Sequence, residues 1–186
     1  MINNRYASLM QQLNDSLERL NSLESDNKNY DIDTLKWFIE HVNKNYYIYE
    51  SKLNETKHDT EINKKPRSHV FWVEFGINIG SEFNEPHYAV VVKESKCTAV
   101  VVPLTSKKDK MPKWIQGDDA IIPIGKIEGF EDKEIECYAC VSMIRSVSKR
   151  RLSSKVNGEF IKLKLSSEQM DRIDEVINNR FTRLDT

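Results

Sequence analysis

The strongest structural signal in the chain is the stretch HYAVVVKESKCTAVVVPLTS, residues 87–106. Two runs rich in β-branched residues flank a few polar ones, which predicts two antiparallel strands joined by a short turn. If the turn is centred near residues 95–98, His87 lies roughly opposite Thr105 or Ser106. An imidazole and a hydroxyl then face the same open end of the hairpin.

Segments on either side of this hairpin have the same β-branched and aromatic character. Gly, Pro, Asn or charged clusters bound them, which is typical of strands. The predicted strands are 69–76, 87–95, 98–106, 119–124 and 136–148. Short strands at such close spacing indicate a small antiparallel barrel or sandwich.

The chain ends in a predicted helix that opens at Ser166. Ser166 and Gln169 have the spacing of a capping box, in which each side chain bonds the other residue's backbone. The apolar stripe of this helix consists of Met170, Ile173, Val176 and Ile177.

Composition divides the chain after Lys64. All 6 Gly and 5 Pro lie beyond Lys65. Residues 1–64 carry 8 Lys and Arg against 11 Asp and Glu, whereas residues 65–186 carry 20 against 18. We therefore predict a domain of residues 65–186, preceded by an extension of residues 1–64.

The extension has the leucine spacing of a helix. The leucines at 9, 13, 17 and 20 share one face of a helix from about Tyr6 to Glu24. A second helix, capped by Asp31 or Asp33, follows a polar turn and completes a helical hairpin.

Charge and composition exclude several classes of protein. The 186 residues have a net charge of −1, which excludes a uniformly basic nucleic-acid coat. No apolar run reaches the ~20 residues that span a bilayer, so we expect no membrane partner. The 3 cysteines show no regular spacing and no export signal precedes them, so we expect the reducing cytoplasm. Cys137 and Cys140 fall on opposite faces of one strand and are interpreted as core or half-buried thiols.

The chemistry is expected in two loops that meet at the open end of the hairpin. One runs from Gly76 to His87 and the other from Pro103 to Trp114. A proton-transferring imidazole, a hydroxyl donor and nearby lysines suit cleavage of a phosphodiester by its own 2′-hydroxyl. This chemistry requires neither a metal nor a cofactor, and we predict none.

Four blocks give the resemblance to a known family: VFWVEFGINIGSE, YAVVV, VVPLTS and IRSVSKRRL, in this order. Together they resemble the PemK/MazF toxin family over about Arg67 to Phe181. The resemblance implies an α+β fold, a small SH3-like antiparallel β-barrel with a C-terminal helix. It also implies a homodimeric, metal-independent endoribonuclease that cuts single-stranded RNA and is neutralised by a cognate antitoxin protein.

The resemblance also assigns site residues by position. The family's transition-state threonine falls on Thr105, and its catalytic arginine falls on His87, whose imidazole is a better proton shuttle near neutral pH. The supporting or RNA-binding positions are Ser81 and Glu82 after Gly80, then Ser106, Lys107, Lys108, Trp114 and Arg145, with Lys149 and Arg151 beyond. Trp114 and Phe83 are further predicted to stack on unpaired bases.

Two alternatives remain open at this point. A related branch that resembles CcdB acts through protein contacts, so a non-catalytic protein-binding toxin or regulatory module is the second hypothesis. The acidic helical hairpin could cover the RNA groove, dock a partner, pack on the barrel or extend a dimer interface.

Overall fold

The computed structural model describes residues 2–22, 30–53, 64–78, 82–107, 117–130, 135–156, 158–160 and 162–182. The chain forms two compact units, Met1–His58 and Asp59–Thr186. The domain boundary expected after Lys64 stays a prediction, because residues 54–63 lie outside the described segments. None of the described helices has the length and apolar character needed to cross a membrane.

The first unit consists of two helices, α1 (Ile2–Asn21) and α2 (Tyr30–Leu53). Both were predicted, although α1 begins and ends earlier in the chain than its leucine spacing suggested. The predicted cap of α2 is wrong, since the helix begins at Tyr30 and includes Asp31 and Asp33 in its first turn. Acidic residues in a first turn are favourable because the helix dipole is positive there.

In the described segments of the second unit there are ten short strands and one α-helix. The strands are β1 (His69–Glu74), β2 (Pro86–Glu94), β3 (Thr98–Ser106), β4 (Ile121–Lys126), β5 (Glu136–Cys140), β6 (Arg145–Ser148), β7 (Leu152–Ser153), β8 (Lys155–Val156), β9 (Glu159–Phe160) and β10 (Leu163–Lys164). Helix α3 (Ser167–Ile177) follows and continues into a π-turn (Asn178–Thr182). All described strand pairs are antiparallel, so the predicted α+β class with an antiparallel sheet and a C-terminal helix is confirmed.

The sheet of the predicted SH3-like barrel is not closed in the described segments. Its strand order is β10-β1-β2-β3-β5-β4, with β6 added beside β3 and β7 beside β1. In the described part of the chain, β4 and β10 are the two ends of this order and no ladder joins them. The β4 edge is covered by a side chain instead, because Gln169 donates hydrogen bonds of 2.8 Å to the carbonyls of Ile124 and Lys126.

Strand β3 is paired along its second edge by two separate strands. Residues 104–106 pair with β5, and residues 98–101 pair with β6. A 3₁₀ turn, Val141–Met143, separates β5 from β6, so the single strand predicted over 136–148 is wrong. The turn is fixed to the chain before β4, since the amides of Val141 and Ser142 both donate to the Ala120 carbonyl.

Both faces of the central hairpin are buried. Val90 and Val102 lie in one apolar core with α3, whereas Val91 and Val101 lie in a second core on the other face. This explains the unbroken valine runs, because a strand covered on both faces needs no polar alternation. We call the second cluster the site-side core; it includes Phe71, Val73, Phe75, Phe83, Ala89, Val91, Val101, Val147 and Leu152.

Cys137 and Cys140 are confirmed as core thiols. Cys137 lies in the core beside α3 and Cys140 lies in the site-side core, as expected for opposite faces of one strand. Burial raises the pKa of Cys137 to about 11 and that of Cys140 to about 12. Both thiols are therefore protonated at neutral pH.

The capping box of α3 is confirmed. The Gln169 amide donates to the Ser166 hydroxyl at 3.2 Å, and the Ser166 amide donates to the Gln169 side chain at 2.8 Å. Met170 and Ile173 are buried in the core. One Gln169 side chain thus caps the helix and attaches it to the β4 edge.

Candidate functional site

The β2–β3 hairpin brings His87 and Thr105 level with each other. The last paired residues of the two strands are Ala89 and Pro103. His87 lies two residues before Ala89, and Thr105 lies two residues after Pro103. The two residues therefore lie at the same level of the sheet, His87 on β2 and Thr105 on β3, and both lie just beyond the last pair of the β2–β3 ladder.

Alternation along the strands puts both residues on the face of the site-side core. His87 shares a face with the buried residue Ala89, and Thr105 shares a face with the buried residue Val101. Both side chains are half-buried, so each is accessible at the margin of a packed core. On its other edge Thr105 is paired with Tyr138 of β5, a neighbour that the sequence did not indicate.

Phe83 holds the His87 ring from one side. The two ring centroids are 4.5 Å apart at an interplanar angle of 68°, an edge-to-face contact. Phe83 in turn packs edge-to-face on Phe75, with centroids 5.3 Å apart. Because Phe83 is only 8% exposed, its predicted role in stacking on RNA bases is wrong.

The loop that carries Phe83 is closed at its base by Asn78. The Asn78 side-chain amide donates to the carbonyls of Phe75 and Phe83, at 3.2 and 2.8 Å, and its backbone amide donates to Asn84 at 2.6 Å. The Glu85 amide also reaches the Gly76 carbonyl at 2.9 Å. Gly76 has a φ of 86°, in the left-handed region that favours glycine. Sequence reasoning missed Asn78, although an asparagine close to such a glycine is a turn signal.

Arg145 contributes a cation to the same face from β6. It lies opposite Val101 and shares its face with the buried residue Val147. Its guanidinium carbon is 5.9 Å from the centroid of the Phe75 ring, and its Nη2 is 3.6 Å from a carboxylate oxygen of Glu82. At ~3.3 Å per residue, Arg145 lies about 13 Å along the strand direction from Thr105. The predicted residues Glu82 and Arg145 are thus brought together, and β3 separates the strand of Arg145 from that of His87.

Ser106 and Lys107 lie beside Thr105 at the end of β3. Ser106 is exposed and paired with Cys137. The Lys107 ammonium is 2.7 Å from Glu136, and this hydrogen bond raises the pKa of Lys107 and lowers that of Glu136. Both side chains are at least half exposed, so the pair is a weak surface interaction.

Two of the cations expected in an RNA-binding surface have structural contacts instead. Lys149 is 6% exposed, and its ammonium is 2.9 Å from Glu94. Arg151 donates at 3.2 Å to the carbonyls of Glu74 and Phe75, where β1 ends. The predicted phosphate contact of Lys149 is therefore wrong, because its charge is buried in an ion pair.

Glu94 accepts from two lysines. Its pKa is lowered by the hydrogen bond from the Lys149 side chain and by one from the Lys65 backbone. Lys65 is itself buried, with its ammonium 4.5 Å from the Phe71 ring centroid. Burial and the charge of Lys149 lower the pKa of Lys65. The cluster attaches the start of the second unit to the β2–β3 hairpin.

Three predicted site residues lie outside the described segments: Ser81, Lys108 and Trp114, together with Gly80. Within the described segments, no three His, Cys, Asp or Glu side chains are grouped to hold a metal ion. A cleft of about 780 Å³ lies elsewhere, between β4, β10 and the start of α3, and contains none of the predicted site residues.

The arrangement suits proton transfer next to an anion. An imidazole and a hydroxyl lie at one level of the sheet, and a guanidinium lies further along the same face. General acid–base catalysis needs a group such as the imidazole, and stabilisation of a charged phosphoryl group needs donors such as the hydroxyl and the guanidinium.

The chain is similar to proteins of a known family. The model of the family "PemK-like, MazF-like toxin of type II toxin-antitoxin system" matches residues 66–181. The chain is also similar to the crystal structure of MazF (Form-I) from Deinococcus radiodurans, at 14% sequence identity and a TM-score of 0.44, covering 63% of this chain and 96% of that one. No curated protein matches the chain.

Proposed function

Because the chain belongs to the family of PemK-like, MazF-like toxins of type II toxin–antitoxin systems, we propose that it is a metal-independent endoribonuclease of single-stranded RNA. The observation that supports the proposal most directly is the register of β2 and β3. It brings His87 and Thr105, on one face, to the same distance beyond the last strand pair. Membership of a type II system also implies an antitoxin partner.

In the proposed reaction the 2′-oxygen of one nucleotide attacks the adjacent phosphorus atom. The bond from phosphorus to the 5′-oxygen breaks, which leaves a 2′,3′-cyclic phosphate and a 5′-hydroxyl. His87 takes the proton of the 2′-hydroxyl or protonates the leaving 5′-oxygen. Imidazole suits either step at neutral pH, since its reference pKa is ~6.5.

Thr105 donates a hydrogen bond to a non-bridging phosphoryl oxygen. This oxygen gains negative charge in the transition state, and a donor fixed by the end of β3 needs no rearrangement to stabilise it. Lys107 lies two residues further on and adds positive charge once a phosphate displaces Glu136.

Arg145 binds a phosphate further along the strand. Because its backbone is offset by about 13 Å from Thr105 along the strand, we assign it to a phosphate other than the one that Thr105 contacts. Its partner Glu82 is 55% exposed, so RNA can compete for the guanidinium at little cost. Such a contact positions the RNA and does not read its sequence.

We further propose that the protein acts in the cytoplasm, as a homodimer, until its antitoxin binds. Residues 65–186 supply the catalytic domain, and residues 1–64 supply a separate helical unit.

The test is incubation of purified protein with a long single-stranded RNA in EDTA, with the ends of the fragments analysed chemically. We expect cleavage that leaves cyclic phosphate and 5′-hydroxyl ends. Strict dependence on Mg²⁺ or 5′-phosphate ends would contradict the proposed chemistry. Absence of cleavage under all conditions would favour a protein-binding toxin.

A further inference from the structure

Helix α2 carries an apolar stripe with the spacing of a coiled coil. Its members are separated by three, four, three and four residues, and we call them the heptad stripe: Ile32, Leu35, Ile39, Val42 and Tyr46. This alternation is the a/d pattern that packs one helix against another with knobs into holes. β-Branched residues at a and d positions, here Ile39 and Val42, pack well in such a seam.

Four of the five members of the heptad stripe are exposed, and Leu35 is half-buried. Ile32 is 45% exposed, Ile39 is 55%, Val42 is 48% and Tyr46 is 59%. Phe38, which flanks the stripe, is 42% exposed. Scattered apolar residues are common on protein surfaces, but a contiguous apolar strip on one helix marks an interaction surface.

A different side of α2 is more buried. It includes Thr34, Trp37, His41 and Asn45, spaced by three, four and four residues. At 100° per residue this side is turned by roughly 135° from the heptad stripe. The more apolar side of the helix is thus the more exposed one, the reverse of the usual arrangement in a surface helix.

We propose that a second copy of this chain covers the heptad stripe, with the two α2 helices antiparallel. Two stripes with the same heptad spacing can pack together, so the heptad stripe of a second copy is a suitable partner for this one. The charges favour the antiparallel orientation: residues 30–41 carry three acidic residues and one Lys, whereas residues 42–53 carry two Lys and one Glu. The acidic half of each helix then lies beside the basic half of the other.

The exposed apolar area is about half of what one partner buries in a standard interface. A large side chain offers on the order of 200 Å², so the four that are about half exposed supply roughly 400 Å² per copy. A standard interface buries ~800 Å² per partner, and its polar rim supplies a large part. The neighbouring polar side chains of α2 would form that rim.

This interface does not depend on the proposed RNA cleavage. Helix α2 precedes the family match, which begins at residue 66. Loss of nuclease activity would leave this proposal intact, and failure of the helix pairing would leave the nuclease intact.

Cross-linking of full-length protein tests the proposal. In a Cys97→Ser background, which removes the exposed thiol, Val42→Cys and Ile32→Cys each place one reactive thiol in the stripe. For a seam centred between Ile39 and Val42, the two copies of position 42 are about 5 Å apart along the axis, and those of position 32 about 25 Å. A short bifunctional maleimide should therefore give a covalent dimer with Val42→Cys and only monomer with Ile32→Cys.

The alternatives give different band patterns. Cross-linking at both positions would indicate parallel helices and overturn the proposed orientation. Monomer at both would overturn the interface, even if the protein dimerises through its sheet.

Sedimentation provides an independent readout. Val42→Lys should weaken self-association, so that its particles dissociate at a higher protein concentration than those of wild type, whereas the control Lys44→Ala, at an exposed position outside the stripe, should not. Circular dichroism of both variants establishes that α2 is still helical. An unchanged dissociation concentration for folded Val42→Lys would contradict the proposal.

Discussion

Phe83 presents its ring edge-to-face to the imidazole of His87, with the ring centroids 4.5 Å apart. This contact links the loop after β1 to the start of β2. Phe83 also packs on Phe75, at the other end of the same loop. The imidazole is therefore oriented by a buried aromatic ring. Phe83 therefore positions the ring of the proposed catalytic residue, His87, and is too buried to stack on RNA bases.

Truncation of Phe83 should reduce stability strongly. Phe83→Ala removes a nearly buried ring from the site-side core, and we expect a loss of about 3 kcal/mol in the free energy of unfolding. The control Phe160→Ala removes a ring that is 70% exposed and should change stability by less than about 1 kcal/mol. Urea unfolding measures both. Equal effects of the two substitutions would contradict the burial of Phe83.

Glu94 should make the free energy of unfolding depend on pH. Its pKa is lower in the folded protein than in the unfolded chain, so its contribution is present above the unfolded pKa and is lost as pH falls through the folded one. Glu94→Gln should therefore destabilise the protein at neutral pH, with a difference from wild type that shrinks in acid. Urea unfolding over a pH series measures this difference.

The same series with Lys149→Met provides the control for Glu94. This change removes the larger cause of the lowered pKa, so Glu94→Gln should have much less effect in that background. A difference that does not vary with pH, or that is unaffected by Lys149→Met, would rule out the buried ion pair as its cause.

The native protein should expose one reactive thiol. Cys97 is exposed, whereas burial raises the pKa of Cys137 and Cys140, and the thiolate is the reactive form. Titration with a chromogenic disulfide at pH 8 should give one fast equivalent in the native state and three after denaturation. Fast reaction of two or more thiols in the folded protein would contradict the burial of the pair.

Arg145 should contribute to the salt dependence of RNA binding. Each phosphate contact to a single strand adds about 0.7 to the slope of log affinity against log salt. Arg145→Ala should lower that slope by this amount, measured by fluorescence anisotropy with a 2′-O-methyl RNA that cannot be cleaved. The control Arg172→Ala lies on α3, outside the proposed RNA face, and should leave the slope unchanged. A flat salt response in the wild type would exclude phosphate contacts.

The register of the hairpin shows how far sequence reasoning reached. The strand pattern predicted His87 opposite Thr105 or Ser106 but did not distinguish them. A β-bulge decides, because the register shifts by one residue between Val91 and Lys93. Bulges depend on packing on both faces of a sheet, which an isolated strand pattern does not contain.

The incorrect assignments have a shared physical cause. Phe83 and Lys149 were assigned from their neighbours in sequence, but each is buried by tertiary packing: Phe83 against Phe75 across the loop after β1, and Lys149 against Glu94 far along the chain. The capping box was predictable because both of its residues lie within one helical turn. Local hydrogen bonding can be read from spacing, whereas the exposure of a side chain depends on the whole fold.

The most direct test of the proposed nuclease is the single-turnover rate of RNA cleavage in EDTA, for His87→Ala beside His69→Ala. His69 begins β1, four residues from Val73, the partner of His87, and so lies about 13 Å from the proposed site along the strand. We predict a loss of at least about 100-fold for His87→Ala and a near-unchanged rate for His69→Ala. A wild-type cleavage rate in folded His87→Ala would contradict the proposed mechanism.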